Sequence, residues 1–389
     1  MMINMNVGGT ERALLNMITE MSEEKYDITI LMLEKYGDFL ELIPERVNKK
    51  YLDEYSYMKD ILTKPPRNII VDLFKKRRFI KGLHFFYMYL ISKVTKNKSI
   101  FFKYLLKNNP GITNEYDTAI AYAGPMDFIS YFVVHKINAK RKLQWIHFDV
   151  TKIGFNDVFA SKLYHKFDQI YVVSQEGRRK LIERLPSLSG KIDTFLNVIS
   201  SQKLLNMSKT GIGFTDQFNG IRILTVGRLS KEKGQDLVIP VMAELKKRGL
   251  NVKWYCIGDG SAKETYKEMI KEHAVKNEFI LLGSQENPYP FMKQCDIYVQ
   301  PSRHEGYCIT LAEAKCFHKP ILCTDFTGAN EQISDGETGI VINFDEEEMV
   351  EALEKMINDV DIRNNLKNNL NKESMINIKD KESNIAHII

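Results

Sequence analysis

The chain alternates short apolar runs with longer amphipathic stretches, most legibly in its second half. Ile221–Gly227, Val252–Gly258, Phe279–Gly283, Asp296–Gln300 and Pro320–Thr324 each read as a brief buried strand. Between them lie helical patterns: one after Gly234, which Pro240 should kink or interrupt, a Lys/Glu-rich one over about Ala262–Val275, a short one near Pro290, and one carrying Glu313. Short apolar strands alternating with helices predict a doubly wound parallel sheet. Ligands of such sheets sit at the carboxyl ends of the strands. Gly227-Arg228, Gly258-Asp259-Gly260 and Ser302–Gly306 all fall at those ends.

The first half shows the same alternation less clearly. A helix is expected over Thr10–Glu20 after Gly8-Gly9, then a strand over Tyr26–Leu33. Further strands are expected at Thr118–Tyr122, Lys142–His147 and Gln169–Ser174. Residues 200–219 carry little periodicity and read as a linker. This gives a first domain over 1–200, a linker over 201–219, a second domain over 220–365 and a polar, weakly patterned tail or helix over 366–389.

Composition narrows the class. At 389 residues, 44% hydrophobic and 27% charged, the chain has the profile of a globular protein long enough for two domains. No apolar run reaches the roughly 18–20 residues that span a bilayer, and no signal-peptide pattern opens the chain. The five cysteines form no C-x-x-C pair and read as buried, reduced thiols, so no metal site is expected.

The net charge of +5 is unevenly spread. Between Lys64 and Lys107 twelve Lys and Arg residues face a single acid, Asp72, and are interleaved with Phe74, Phe79, Phe85, Phe86, Tyr87, Tyr89, Phe101, Phe102 and Tyr104. Basic residues and aromatics on amphipathic helices favour an anionic membrane surface. A solvated helical face is the plainer alternative, and nucleic acid the least favoured. A cytoplasmic location, at the inner face of the membrane, follows.

The candidate chemistry centres on Arg303-His304-Glu305-Gly306-Tyr307-Cys308-Ile309-Thr310-Leu311-Ala312-Glu313. Glu305 falls in the loop after a strand and Glu313 on the helix that the loop opens. A helix start carries free N–H groups that suit phosphate, and carboxylates suit sugar and ribose hydroxyls. A nucleotide-sugar satisfies both. Transfer of its sugar puts negative charge on the leaving diphosphate, which needs a metal or cationic and N–H donors. Arg228 and Lys233, in Gly227-Arg228-Leu229-Ser230-Lys231-Glu232-Lys233-Gly234, are placed to supply that charge without metal.

Together these segments resemble a family. Gly8-Gly9-Thr10-Glu11-Arg12, Trp145–Asp149, Val172-Val173-Ser174, the 227–234 loop, Gly258-Asp259-Gly260, Gln300–Glu313 and Gly328–Gly339 are similar to motifs of GT-B glycosyltransferases of the family-4 type. These are retaining enzymes that often build bacterial capsule, teichoic-acid or lipopolysaccharide glycans. The resemblance implies an α/β GT-B fold, two Rossmann-like domains facing across a cleft, with the acceptor on the first and the donor on the second. It implies a retaining hexosyltransferase that needs no metal cofactor and uses a nucleoside-diphosphate sugar, first of all a UDP-sugar, with a glycan or lipid-linked acceptor. Arg228, Lys233 and the amides of Gly306, Tyr307 and Cys308 would hold the diphosphate. Glu313 would hold the ribose. Glu305 and His147 would be the catalytic-site residues at the donor sugar, Glu305 as a positioning group, and Gly8 and Gly9 would form the first domain's loop. The leaving phosphate oxygen would itself take the acceptor proton.

One feature departs from the family. Its members begin with a full apolar strand before the Gly-Gly loop, whereas only Met1–Val7 precede Gly8 here. The first strand is therefore expected to be short or missing. The family's last helix implies that the tail returns to the first domain. Asp359-Val360-Asp361 has the letters of a D-x-D metal motif but sits in a charged helical stretch and reads as incidental. The competing readings are a non-catalytic binding protein that keeps the fold and a sugar-nucleotide epimerase.

Overall fold

The computed structural model describes residues 1–377, in two compact units that divide at Leu196/Asn197. The first contains α1 (Gly9–Glu20), β1 (Thr29–Met32), β2 (Asn48–Tyr51), α2 (Tyr55–Thr63), α3 (Pro66–Lys75), α4 (Phe79–Val94), α5 (Lys98–Leu105), β3 (Ile112–Ala121), α6 (Asp127–Lys136), β4 (Ile137–Ile146), α7 (Asp157–Leu163), β5 (Gln169–Val172), α8 (Gln175–Arg184) and β6 (Ile192–Thr194). Strands β3-β4-β5-β6 form a parallel sheet in that order, and β1 pairs with β2 in parallel.

The expected short first strand lies between these two groups. Met2 bridges Met32 in parallel, the Glu34 N–H donates to the Ile3 carbonyl at 2.9 Å, and the Tyr122 N–H donates to the Met1 carbonyl at 3.2 Å. Residues Met1–Ile3 thus connect β1 to the end of β3, although they are too short to count as a strand. Met2 and Met5 are fully buried, so side-chain packing holds the segment as well as these bonds.

The second unit contains α9 (Ser201–Met207), β7 (Ile221–Val226), α10 (Gln235–Lys247), β8 (Val252–Ile257), α11 (Lys263–Glu272), β9 (Phe279–Gly283), α12 (Tyr289–Gln294), β10 (Ile297–Gln300), α13 (Ile309–Lys315), β11 (Ile321–Thr324), α14 (Ala329–Gln332), β12 (Ile340–Ile342), α15 (Glu346–Asn358) and α16 (Val360–Asn377). Its sheet runs β9-β8-β7-β10-β11-β12, parallel throughout. The chain first builds outward from β7 to β9, then returns to the other side of β7 with β10. The order reverses between β7 and β10, and that reversal is where open parallel sheets leave a crevice for ligands.

The strands are nearly continuous apolar runs because helices cover both faces. Trp254, Ile297, Val299, Ile321 and Leu322 are fully buried. A polar stitch crosses the centre: the Trp254 indole donates to the Thr225 hydroxyl at 3.0 Å, which donates to the Val299 carbonyl at 2.9 Å. It ties β8, β7 and β10 together and leaves none of the three groups unpaired.

Two expectations need correction. Helix α10 runs through Pro240 without interruption. Most of its residues from Leu237 to Leu245 are buried, and that packing outweighs one missing hydrogen bond. Residues 201–219 are not an open linker. They form α9 and then fold onto the second unit, where Asp216 accepts from Tyr255 at 2.5 Å and from Lys253 and Arg222 at 3.1 Å each. Beyond Asn365 the chain continues as α16 with Leu366 and Leu370 buried, and Lys315 pairs with Glu373 at 2.9 Å. The rest of the predicted tail, 378–389, lies outside the described residues.

Partial burial alone would raise the Asp216 carboxyl, but its three hydrogen bonds outweigh that and bring it down to about 2. Because its folded pKa is depressed, its stabilisation is complete above the ordinary carboxylate value of about 4 and is lost as pH falls through about 2. Asp216→Ala should therefore destabilise the second unit by about 1–3 kcal/mol at neutral pH. In urea titrations the gap between variant and parent should close as pH approaches 2.

Candidate functional site

The strand ends of the second unit come together because glycines let backbones touch. A Cβ on Gly258 would lie 2.0 Å from the Gly227 carbonyl oxygen, and one on Gly260 2.3 Å from that of Leu229. Gly234, at φ 72°, would put a Cβ 1.8 Å from the Pro301 carbonyl oxygen. No other residue fits at these contacts. The loops after β7, β8 and β10 therefore pack main chain on main chain, and the Leu229 N–H donates to the Asp259 carbonyl at 3.0 Å.

Side chains then lock the arrangement. The Arg303 guanidinium takes Asp236 with two bonds of 2.7 and 2.6 Å, donates to the Lys231 carbonyl at 2.7 Å and stacks 4.0 Å over Phe344. This bidentate pair fixes the β10 loop to the start of α10. Gln235 donates to the Arg228 carbonyl at 2.9 Å.

Lys233 and Glu305 meet in this frame. The Lys233 Nζ lies 2.5 Å from Glu305 Oε1, with the side chains 26% and 9% exposed. The contact crosses from the loop after β7 to the loop after β10, the two strands flanking the reversal of order. Burial pulls the Lys233 ammonium down, but the Glu305 charge and hydrogen bond outweigh it, so the lysine stays cationic with a raised pKa. The Ser302 hydroxyl donates to the same Glu305 oxygen at 2.7 Å. Arg228 sits exposed on the loop after β7, its side chain beside Gly260.

Glu313 lies in the middle of α13 and is almost fully buried, and the Tyr289 hydroxyl donates to it at 2.8 Å. Gly306 and Tyr307 lie in the loop before α13. Cys308 differs from expectation. With its amide turned so that both ends are satisfied, Gln332 accepts from the Cys308 N–H at 3.3 Å and donates to the Cys308 carbonyl at 3.1 Å. The Cys308 amide is thus occupied by a side chain of α14. Its thiol, pushed up to about 12 chiefly by burial, is neutral.

In the first unit the candidates lie at the carboxyl ends of the Met1–Ile3 segment and of β4, which β3 separates. Gly8 caps α1 in extended conformation, with Gly9 the first helical residue, just beyond the Met1–Ile3 segment. His147 follows β4, buried, its ring 4.6 Å from that of Tyr122. Burial pushes His147 down to about 3, so the imidazole is neutral at neutral pH. Its Nε2 is buried without a hydrogen-bond partner. Asp149, two residues on, pairs with Lys180 at 2.9 Å and caps the turn to Thr151.

Sequence reasoning missed Tyr289, Gln332 and the Arg303–Asp236 clamp. Tyr289 and Gln332 sit in short helices with no motif of their own, and their partners are 24 residues away in each case. Only Arg303, flanking Glu305 in the motif, carried a local signal.

An open parallel sheet of this order leaves its ligand crevice at the reversal point, where these cations and carboxylates lie. Two Rossmann-like units in one chain make the GT-B glycosyltransferase fold. Residues 217–373 match the glycosyl transferases group 1 family. The chain is 31% identical over 215 residues to the N-acetylgalactosamine-N,N'-diacetylbacillosaminyl-diphospho-undecaprenol 4-alpha-N-acetylgalactosaminyltransferase of Campylobacter jejuni, covering 55% of this chain and 57% of that protein. It is 29% identical over 260 residues to an uncharacterized glycosyltransferase of Methanocaldococcus jannaschii, covering 57% and 63%. The chain thus spans under two thirds of each relative's length. The crystal structure of Anabaena HepE in complex with UDP superposes with a TM-score of 0.66 at 16% identity, over 96% of this chain and 94% of that one.

Gly234→Ala should force both a left-handed alanine and a clash with Pro301. The expected loss is about 2–4 kcal/mol in chemical denaturation, and a change below about 0.5 kcal/mol would refute the close packing of these loops.

Proposed function

We propose that the chain is a retaining glycosyltransferase that moves a sugar from a nucleoside-diphosphate sugar, first of all a UDP-sugar, to a glycan or lipid-linked acceptor of cell-surface polysaccharide synthesis. The observation that carries this reading is the Lys233–Glu305 contact across the reversal point, with Arg228 beside it. An ammonium and a guanidinium suit a leaving diphosphate, and a carboxylate suits sugar hydroxyls. The name of the Campylobacter relative, with its diphospho-undecaprenol substrate, and the UDP in HepE support the same classes of acceptor and donor.

In this reading Arg228 and Lys233 neutralise the diphosphate with no bound metal ion, helped by the Gly306 and Tyr307 amides. Glu305 orients the donor sugar and Glu313 the ribose. The leaving phosphate oxygen takes the acceptor proton on the face it vacates, which retains configuration without a protein nucleophile. His147, Gly8 and Gly9 are the first unit's candidates for contact with donor sugar and acceptor, and a neutral His147 donates or accepts without adding charge.

The segment 64–107 is proposed to contact an anionic membrane surface, from the cytoplasmic side. Among the described residues no helix is long and apolar enough to cross a membrane. Helix α4 turns Phe85 into the core, yet Ile80, Leu83 and Val94 on its outer side are 84%, 61% and 75% exposed, with Phe79 and Tyr87 beside them. Apolar residues on one flank with Lys75, Lys76, Arg77, Arg78, Lys81 and Lys93 nearby suit lipid tails and headgroups respectively.

Release of nucleoside diphosphate from a panel of nucleotide-sugars should proceed in EDTA. Lys233→Ala and Glu305→Ala should each lower kcat/KM by about a hundredfold or more. Strict metal dependence, or full activity of Lys233→Ala, would overturn the metal-free mechanism, and tight nucleotide-sugar binding without turnover would favour a non-catalytic binding protein. Anionic liposomes should bind the protein at low salt and lose it as salt rises, and an absence of binding at low salt would remove the membrane contact.

A further inference from the structure

Behind Glu305 runs a chain of buried hydroxyl and amide groups that the donor reading leaves unused. Tyr298, Gln300 and Ser302 lie on β10 and its exit, all essentially fully buried. The Tyr298 hydroxyl is 2.8 Å from Gln300 Oε1, and the Thr310 hydroxyl 3.1 Å from the same atom. Gln300 Nε2 is 2.9 Å from the Ser302 hydroxyl, which is 2.7 Å from Glu305 Oε1. The Thr324 hydroxyl holds the Ser302 carbonyl at 2.6 Å and so pins the backbone of the loop.

The direction of every bond follows from the last. A carboxylate paired with an ammonium only accepts, so Ser302 spends its one proton on Glu305. The Ser302 oxygen then accepts from Gln300, which must present its NH₂. The Gln300 oxygen is thereby turned toward Tyr298 and Thr310, and both hydroxyls donate to it. The core orders the relay at one end and the ion pair orders it at the other. Glu305 Oε1 is occupied by Ser302 and Lys233 together, and this pins the carboxylate's rotation.

We infer that Ser302, Gln300 and Tyr298 are positioning residues that orient Glu305 toward the donor sugar, and that they set the affinity for the sugar moiety rather than for the nucleotide. The inference rests on the donor reading above, in which Glu305 contacts the sugar while Arg228, Lys233 and Glu313 contact the nucleotide. A structural role alone would weaken both halves of the ligand together, or only lower stability. A positioning role separates them.

The test is calorimetric titration of the full chain with UDP and, in parallel, with UDP-glucose, UDP-galactose and UDP-N-acetylglucosamine, alongside thermal unfolding. In the parent protein at least one UDP-sugar should bind more tightly than UDP. Ser302→Ala should leave UDP affinity within about twofold and weaken that UDP-sugar about tenfold, the scale of one hydrogen bond to a charged group. Ser302→Thr, which keeps the hydroxyl, should restore most of the difference. Tyr298→Phe and Thr310→Val should each do little, because the other donor still orients Gln300. Combined, they free the Gln300 amide to turn its oxygen toward Ser302, and they should approach Ser302→Ala, more than the sum of the singles. These last variants leave Ser302 itself intact, so they keep the test valid should Ser302→Ala fold poorly. Unchanged UDP-sugar affinity in Ser302→Ala and in the double variant, or equal loss of UDP and UDP-sugar, would overturn the positioning role. A parent protein that binds neither UDP nor any of the three sugars would overturn the donor reading instead.

Discussion

The second unit is organised around an ammonium and a carboxylate held together at the one place where its sheet reverses order. Burying Lys233 and Glu305 is costly, since each must shed water, and a well-packed apolar pair would stabilise the fold at least as well. Their contact therefore speaks to the site's ligand chemistry more than to stability. The surrounding features keep the pair in register: three glycines let three loops touch, Arg303 fastens one loop to the next helix, and Ser302 fixes the carboxylate's rotation. In the proposed donor reading, a diphosphate beside Arg228 would give Lys233 a second anion to share with Glu305.

The first unit solves a different problem. Its sheet has a gap between β1 and β3 that only Met1–Ile3 fill, with a single bridge and a few main-chain bonds. Buried Met2 and Met5 add side-chain packing to those bonds. The same unit leaves the outer side of α4 apolar while its inner side is buried. This exposed apolar flank, set among dense positive charge, is what the proposed membrane contact rests on.

The two units also differ in how much local sequence revealed. Strands β7, β8, β9, β10 and β11 were each legible within a residue or two, because a strand covered on both faces must be a short apolar run and little else in the chain looks like one. In the first unit β3 and β4 extend several residues upstream of the predicted starts, through stretches where half-buried Ile112, Tyr116, Ile137 and Ala139 are diluted by exposed polar and charged residues. Residues 201–219 were misread for a related reason: α9 is only seven residues long, and Asp216 is held by partners on β7 and β8 that no local pattern announces.

The sequence by itself determined the alternation of strands and helices, the loops bearing Arg228, Lys233 and Glu305, the helix bearing Glu313, and the glycines between them, since these depend on residue type and spacing over a few positions. Only the tertiary structure decided which groups meet. Lys233 and Glu305 are 72 residues apart, Tyr289 and Glu313 are 24 apart, and Gln332 takes the Cys308 amide that its own loop seemed to leave open. It also decided which aromatics of 64–107 entered the core, as Phe85, Phe101 and Phe102 did, and which stayed outside, as Phe79 and Tyr87 did. The physical reason is the same in each case. Periodicity states that a side chain is apolar or polar, but the order of strands in the sheet and the packing of helices against it state what lies opposite.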